Sequence, residues 1–182
     1  IRQIFAQVTK LNGFSLVVGL AIIKVLEEEC LVEGLKIKWP NDIYFKSKKI
    51  AGILLENQIQ LDNQFVVIGV GVNYNLNQNF NCEIPWTDLA KSAKKMPDIH
   101  SLTAKLIESI LSTSEHFKMN GLSSFLDQWD RYDMLKGSNV RLIESGKPVE
   151  GKVTGISQQG ALQVSTQNGV KELYSSKYIE FI

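Results

Sequence analysis

No excess charge of either sign marks this chain. Twenty Lys and Arg side chains stand against 19 Asp and Glu over 182 residues, a formal net charge of +1 at pH 7. Proteins that bind nucleic acid by bulk electrostatics carry a basic surplus, so that class is excluded for this chain, and any attraction to phosphate must come from local placement. Cysteine is scarce. Cys30 and Cys82 lie far apart without metal-like spacing, which removes a disulfide framework and a thiolate metal site and leaves two free thiols in a reducing compartment. Long apolar runs are missing too. A membrane-spanning helix needs about 20 apolar residues, whereas the most apolar stretch, Leu16 to Leu26, is shorter and interrupted by Lys24. These absences predict a cytoplasmic protein with no membrane partner. There is no leading methionine, since the chain starts at Ile1, and no internal repeat or low-complexity tract.

What is present divides into two styles of sequence. Residues 1 to 8 read as a strand. Gly13 to Cys30 reads as a helix, with Ser15 as the expected N-cap; it is apolar on nearly every side, as burial against a sheet requires. Short strands are expected over Leu35–Lys38, Ile43–Phe45, Ile50–Glu56 and Gln64–Asn73. Asparagines then alternate from Asn73 to Asn81, and Tyr74 to Pro85 reads as a loop that orders around ligand, with Trp86 as its anchor. His100–Met119 and Ser123–Asp133 carry helical spacing, the latter facing Phe125, Leu126, Trp129 and Tyr132 inward as core. His100 and His116 read as surface. From Leu135 onward five short strands follow, with turns at Ser145-Gly146 and Asn168-Gly169. The expected division is therefore 1–134 as a larger α+β unit and 135–182 as a small β unit docked on it.

The densest chemistry lies between Lys36 and Glu56. Lys38 and Lys49 flank a Trp39-Pro40-Asn41-Asp42 turn, and Gly52 interrupts an apolar strand where glycine is otherwise a poor choice. Cations suit phosphate, a carboxylate and an amide suit hydrogen bonding, and a bare backbone suits close approach of a ligand. A charged hairpin on an ordinary sheet is the bland alternative, with Trp39 as a core anchor, Asn41 as a turn cap, and Lys36, Lys46 and Lys48 as solvated surface. Strict alternation would put Lys49 and Gly52 on opposite faces, so a bulge or strand-edge position is required if both meet one ligand. Gly69-x-Gly71 lacks the third glycine and following helix of a dinucleotide fingerprint, which excludes that reading.

Lys38-Trp39-Pro40-Asn41-Asp42, Lys49-Ile50-Ala51-Gly52-Ile53-Leu54-Leu55-Glu56 and Gly69-Val70-Gly71-Val72-Asn73, in this order, resemble biotin protein ligase. Trp129-x-x-x-Asp133 and Gly155-Ile156-Ser157-x-x-Gly160-Ala161-Leu162 extend the resemblance over essentially the whole chain. It implies a mixed sheet flanked by helices, related to class II aminoacyl-tRNA synthetase cores, followed by a Src-homology-3-like barrel. It implies ATP, biotin and a phosphate-held Mg²⁺ as ligands. The implied reaction is formation of biotinyl-5′-adenylate and transfer of biotin to a lysine of a biotin carboxyl carrier domain. A homodimer is compatible with it.

The resemblance casts Lys49 as the central catalytic cation and Lys38 as the second. Asp42 falls at the nucleotide side, in a ribose, Mg²⁺-water or proton-accepting role. Gly52, Gly69 and Gly71 would lie against ligand, Asn73 would meet an adenine edge with its donor and acceptor, Asn41 would line the site and Trp86 would close over it. The family's glycine- and arginine-rich biotin loop has no counterpart from Ile1 onward, which predicts an N-terminally incomplete ligase that is silent on its own. Gln158 and Gln159 stand where the family often has a basic residue. A lipoate–protein ligase, and a non-catalytic module that binds adenylate or acceptor, are the alternatives.

Overall fold

The computed structural model describes residues 1–5, 11–60, 63–76, 82–144, 146–176 and 178–182. In chain order its elements are β1 (Arg2–Phe5), α1 (Phe14–Cys30), β2 (Leu35–Lys38), β3 (Asp42–Phe45), β4 (Lys48–Gln60), β5 (Asn63–Val72), α2 (Leu89–Ser92), α3 (Ile99–Asn120), a 3₁₀ turn (Leu122–Phe125) and α4 (Leu126–Tyr132). Then come β6 (Asn139–Glu144), β7 (Lys147–Ile156), β8 (Leu162–Thr166), β9 (Gly169–Leu173) and β10 (Ile179–Phe181). The end of the expected first strand, the middle of the expected Tyr74–Pro85 loop and Ser145 of the first expected hairpin turn lie outside the described residues.

Two five-stranded sheets result, in the orders β1-β5-β4-β3-β2 and β10-β6-β7-β8-β9. Every ladder among the described residues is antiparallel, and among them the parallel character expected of a mixed sheet is confined to two isolated bridges, Ile37–Asp133 and Lys49–Trp86. The α+β class and the small C-terminal β unit stand as expected.

The first core forms because α1 presents apolar side chains all round. Leu16, Leu20, Ile22, Ile23 and Leu26 are buried between the sheet face carrying Ile37, Ile43, Ile53, Val66 and Ile68 and the buried positions of α3, Leu102, Ile110 and Phe117. Phe14 and Phe117 stack with ring centroids 4.9 Å apart. The helix start differs from expectation. Gly13 is the N-cap, at φ 78, and Ser15 is the second helical residue, where its Oγ donates to the Pro40 carbonyl at 2.9 Å. Helical geometry has freed that hydroxyl for a tertiary contact instead of a cap. Asp98 caps α3 by accepting from the His100 and Ser101 N–H groups at 3.0 Å.

The second core is Val140, Leu142, Val149, Val153, Leu162, Val164 and Leu173, alternating inward along β6 to β9. The two sheets meet at the turn between β2 and β3, whose Trp39-Pro40 bond is cis. Trp39 is 2% exposed, as a core anchor should be.

Candidate ligand site

Of the two arrangements the sequence left open, a bulge or a strand-edge position, β4 has the bulge. Ile43 pairs with Ala51 but Tyr44 with Lys49, so Ile50 is the extra residue and the register shifts there. The shift turns Lys49 to the face of Gly52. Lys49 Nζ then reaches Asp42 Oδ1 at 2.6 Å, both side chains partly open to solvent. Asp42 and Gly52 are cross-strand partners. A Cβ on Gly52 would sit 3.3 Å from both Lys49 Nζ and Asp42 Oδ1. Glycine at this position leaves the space into which the ion pair folds.

Gly71 pairs with Gly52 across β4 and β5, and Gly69 with Leu54, so the three glycines form a bare strip beside the ion pair. The reason for glycine differs along the strip. At Gly69 a Cβ would make only ordinary contacts, and at Gly71 it would meet nothing within 4 Å. Neither adopts a positive φ. Backbone conformation and packing within the described residues therefore explain Gly52 but not Gly69 or Gly71. Leu54, 62% exposed, borders the strip.

The asparagines act as braces. Asn41 Nδ2 donates to the Ile53 carbonyl at 2.7 Å while Ile53 N–H donates to the Asn41 carbonyl at 3.0 Å, locking the turn to β4. Asn73 Nδ2 donates to the carbonyls of Thr87 at 2.9 Å and Lys49 at 3.3 Å. Both of its donors are thus committed to backbone, which corrects the expectation that this amide offers a donor and an acceptor to an adenine edge; Oδ1 alone remains for a ligand. The brace holds Pro85–Thr87 alongside Lys49, where Lys49 N–H donates to Pro85 O at 2.8 Å and Thr87 N–H to Lys49 O at 2.9 Å. Trp86 is placed there, with Lys91 Nζ 4.6 Å from its ring centroid.

Two cavities adjoin the ion pair. Lys49, Gly52, Gly71, Asn73 and Trp86 line one of about 380 Å³. Lys38, Trp39, Asn41, Asp42, Tyr44 and Phe181 are among the walls of the other, of about 950 Å³. Lys38 Nζ donates to the Ile179 carbonyl at 3.2 Å and lies 5.9 Å from the Tyr44 ring centroid and 5.8 Å from that of Phe181. Burial pulls the Lys38 ammonium below its usual range; Asp42 opposes that shift and Lys49 adds to it. Burial, with Asp42 assisting, pushes the Tyr44 phenol up. A site with two cations, one carboxylate and an uncovered backbone can hold an anionic group and stabilise charge that grows on it.

Eight of the nine residues singled out from the sequence line these two cavities, and the ninth, Gly69, continues the bare strip along β5 from Gly71. Others escaped sequence reasoning. Asp88 is fully buried and accepts from the N–H groups of Leu76 and Lys91, both at 3.0 Å, with Lys91 Nζ 3.6 Å away. The Asp before Leu89-Ala90-Lys91 was a readable N-cap signal. Phe181 reaches the larger cavity from β10 and Tyr178 from the residue just before it, and no local pattern could have placed them there. Among the described residues no group of three or more His, Cys, Asp or Glu side chains converges as a metal site.

Residues 2–73 match the Biotin/lipoate A/B protein ligase family, and residues 137–176 match the Biotin protein ligase C terminal domain. The bifunctional ligase/repressor BirA of Escherichia coli is 32% identical over 161 residues, covering 87% of this chain and 49% of that protein. BirA of Bacillus subtilis is 32% identical over 173 residues, covering 92% of this chain and 52% of that protein. The chain thus spans about half the length of these curated relatives. The biotin protein ligase of Aquifex aeolicus in complex with biotin and ATP superposes with a TM-score of 0.81 at 27% identity, covering 100% of this chain and 77% of that one.

Proposed function

Because the chain belongs to the biotin protein ligase family, we propose that its protein activates biotin with ATP to biotinyl-5′-adenylate and transfers biotin to a lysine of a biotin carboxyl carrier domain. The observation that carries this reading is the Lys49–Asp42 contact at 2.6 Å beside the glycine strip. In the first step a biotin carboxylate oxygen attacks the α-phosphorus, the bond to the bridging oxygen breaks, and pyrophosphate leaves with the electron pair. In the second, the acceptor amine attacks the acyl carbon, the acyl–oxygen bond breaks, and AMP leaves.

Lys49 stabilises the phosphate charge in the first step and polarises the anhydride in the second, exchanging Asp42 for phosphate as ligand enters. Lys38 supplies the second cation from the larger cavity. Asp42, released from Lys49, is placed to take the proton of the incoming amine. Gly52, Gly69 and Gly71 let biotin lie on backbone, Trp86 covers the adenylate, and Asn41 and Asn73 hold the walls. Mg²⁺ would be held mainly by the oxygens of the triphosphate and would supply charge neutralisation at the leaving group. Residues 1–134 serve as the ligase core and 135–182 as its C-terminal partner. We place the protein in the cytoplasm, where its acceptor, ATP and reduced thiols coexist; no helix among the described residues is long and apolar enough to cross a membrane.

Biotin-dependent exchange between ATP and pyrophosphate, followed by label transfer to a carrier domain, tests the proposal in the full-length protein. Exchange and transfer with biotin are expected. Exchange with lipoate in place of biotin identifies a lipoate–protein ligase, and nucleotide binding without exchange identifies a non-catalytic module.

A further inference from the structure

The first two residues of the Lys38–Asp42 block are both held from the second sheet. Trp39 Nε1 donates to the Gly160 carbonyl at 3.0 Å, and Lys38 Nζ to the Ile179 carbonyl at 3.2 Å. The Gly160 contact is built to resist movement. Gly160 lies at φ 77 in a turn closed by its own N–H to Ser157 O at 2.8 Å, with Ser157 Oγ accepting from the N–H groups of Gln159 and Ala161 at 3.2 Å each. A Cβ there would come 2.7 Å from Gly13 Cα and 2.9 Å from Gly13 N, both backbone atoms. Bare backbone therefore meets bare backbone where the second sheet abuts the start of α1. That same helix start holds the Pro40 carbonyl through Ser15 Oγ.

The turn is thus fastened from three directions: from α1 by Ser15, from β4 by the two Asn41–Ile53 hydrogen bonds, and from the second sheet by Trp39. Asp42 follows at once and meets Lys49 at 2.6 Å. We infer that Trp39 is a positioning residue: through its indole N–H, the C-terminal sheet holds the turn that sets Asp42 against Lys49. The C-terminal sheet is then a working part of the site and not an appended module. The word site rests on the ligase reading above; the mechanical link does not. Displacing a reacting constellation by about 1 Å costs on the order of a hundredfold in rate, so one missing fastening is visible in turnover.

Trp39→Phe keeps an aromatic ring and removes the donor, and Gly160→Ala wedges the seam from the other side. In the ligand-free full-length protein, amide hydrogen exchange is expected to quicken about tenfold at Ile53, whose N–H donates to Asn41, in both variants. In Trp39→Phe, exchange in α1 and in β6–β8 should stay at wild-type rates, whereas Gly160→Ala also presses on Gly13 and should quicken the first turn of α1. Adenylate formation should lose roughly ten- to a hundredfold in kcat, with KM for biotin within about twofold, because ligand contacts remain and alignment does not. Wild-type exchange at Ile53 in both variants overturns the inference. So does uniform acceleration across both sheets, which makes Trp39 a packing residue only. A wild-type protein without biotin-dependent pyrophosphate exchange refutes the ligase reading, and the hydrogen-exchange arm still decides the link.

Discussion

Lys49 and Gly52 face the same side of one strand although an odd number of positions separates them. The Ile50 bulge absorbs the mismatch, and the Lys49 ammonium comes to lie 3.3 Å from where a Cβ at position 52 would stand. One local irregularity thus creates both the ion pair with Asp42 and the space it occupies. It also places Lys49 O and N where Thr87 and Pro85 can pair with them.

Replacing Lys49 with alanine is expected to reduce adenylate formation by about 10²–10³-fold, the loss typical of one preorganised donor. The side chain is partly exposed, at 31%, and its removal leaves Asp42 accessible to water. Circular dichroism and thermal midpoint should therefore stay near wild type. A wild-type pyrophosphate-exchange rate in this variant would remove Lys49 from the mechanism.

The glycines separate packing from ligand contact. Gly71→Ala adds a Cβ that meets nothing within 4 Å, so unfolding in urea should shift by less than about 0.5 kcal/mol. Biotin affinity measured by calorimetry should nonetheless fall at least about tenfold, since the methyl occupies the bare strip. Gly52→Ala should behave differently, because it pushes against Lys49 and Asp42 and lowers kcat as well. Unchanged biotin affinity in Gly71→Ala would show that ligand does not lie on the strip.

Asn73 is expected to matter for stability as well as for ligand. Asn73→Ala removes both donors to Thr87 O and Lys49 O, at a cost of roughly 1–3 kcal/mol that falls mainly on Thr87 O, since Lys49 O keeps the Thr87 N–H. Asn73→Asp should cost more, since a carboxylate would face two carbonyl oxygens. Urea unfolding orders the three proteins, and tryptophan emission should move to the red as Trp86 loses its place beside Lys49. Equal stability of wild type and both variants would return this amide to a purely ligand-reading role.

Asp133 gives stability a particular pH dependence. Asp133 is 7% exposed; Oδ1 accepts from Leu135 N–H at 2.8 Å and Lys136 N–H at 3.2 Å, while the buried Oδ2 has no well-formed partner among the described residues. Burial pushes this carboxyl above its usual range, against the opposing pull of the two N–H groups. The folded state therefore holds the proton at pH values where the unfolded chain, with a pKa of about 3.9, has lost it. This group's contribution to stability falls as pH rises from about 4 through the raised value. Asp133→Asn cannot titrate, so it should gain on wild type as pH rises from 4 to 8 in urea unfolding. A constant difference across that range would place the carboxyl at its ordinary value.

Sequence order alone determined much of this protein. The all-apolar surface from Leu16 to Leu26 required a buried helix, alternation set the strands of both sheets, and linear spacing put Lys38, Asp42, Lys49, Gly52, Gly69 and Gly71 on elements that pair directly. Such signals are legible because they depend on helix and strand periods and on neighbours in one hairpin. Parity left a bulge or a strand edge as the ways for Lys49 and Gly52 to meet one ligand, and only the structure chose the bulge and its place at Ile50. What a polar side chain does was decided only by the assembled structure. Ser15 looked like a cap and holds Pro40, and Asn73 looked like a reader of ligand and braces Thr87. Trp39 looked like an anchor and also donates to Gly160, 121 residues away. A hydroxyl, an amide or an indole N–H bonds to whichever acceptor the packing brings within about 3 Å, and for these residues that acceptor lies on an element whose approach no local pattern encodes.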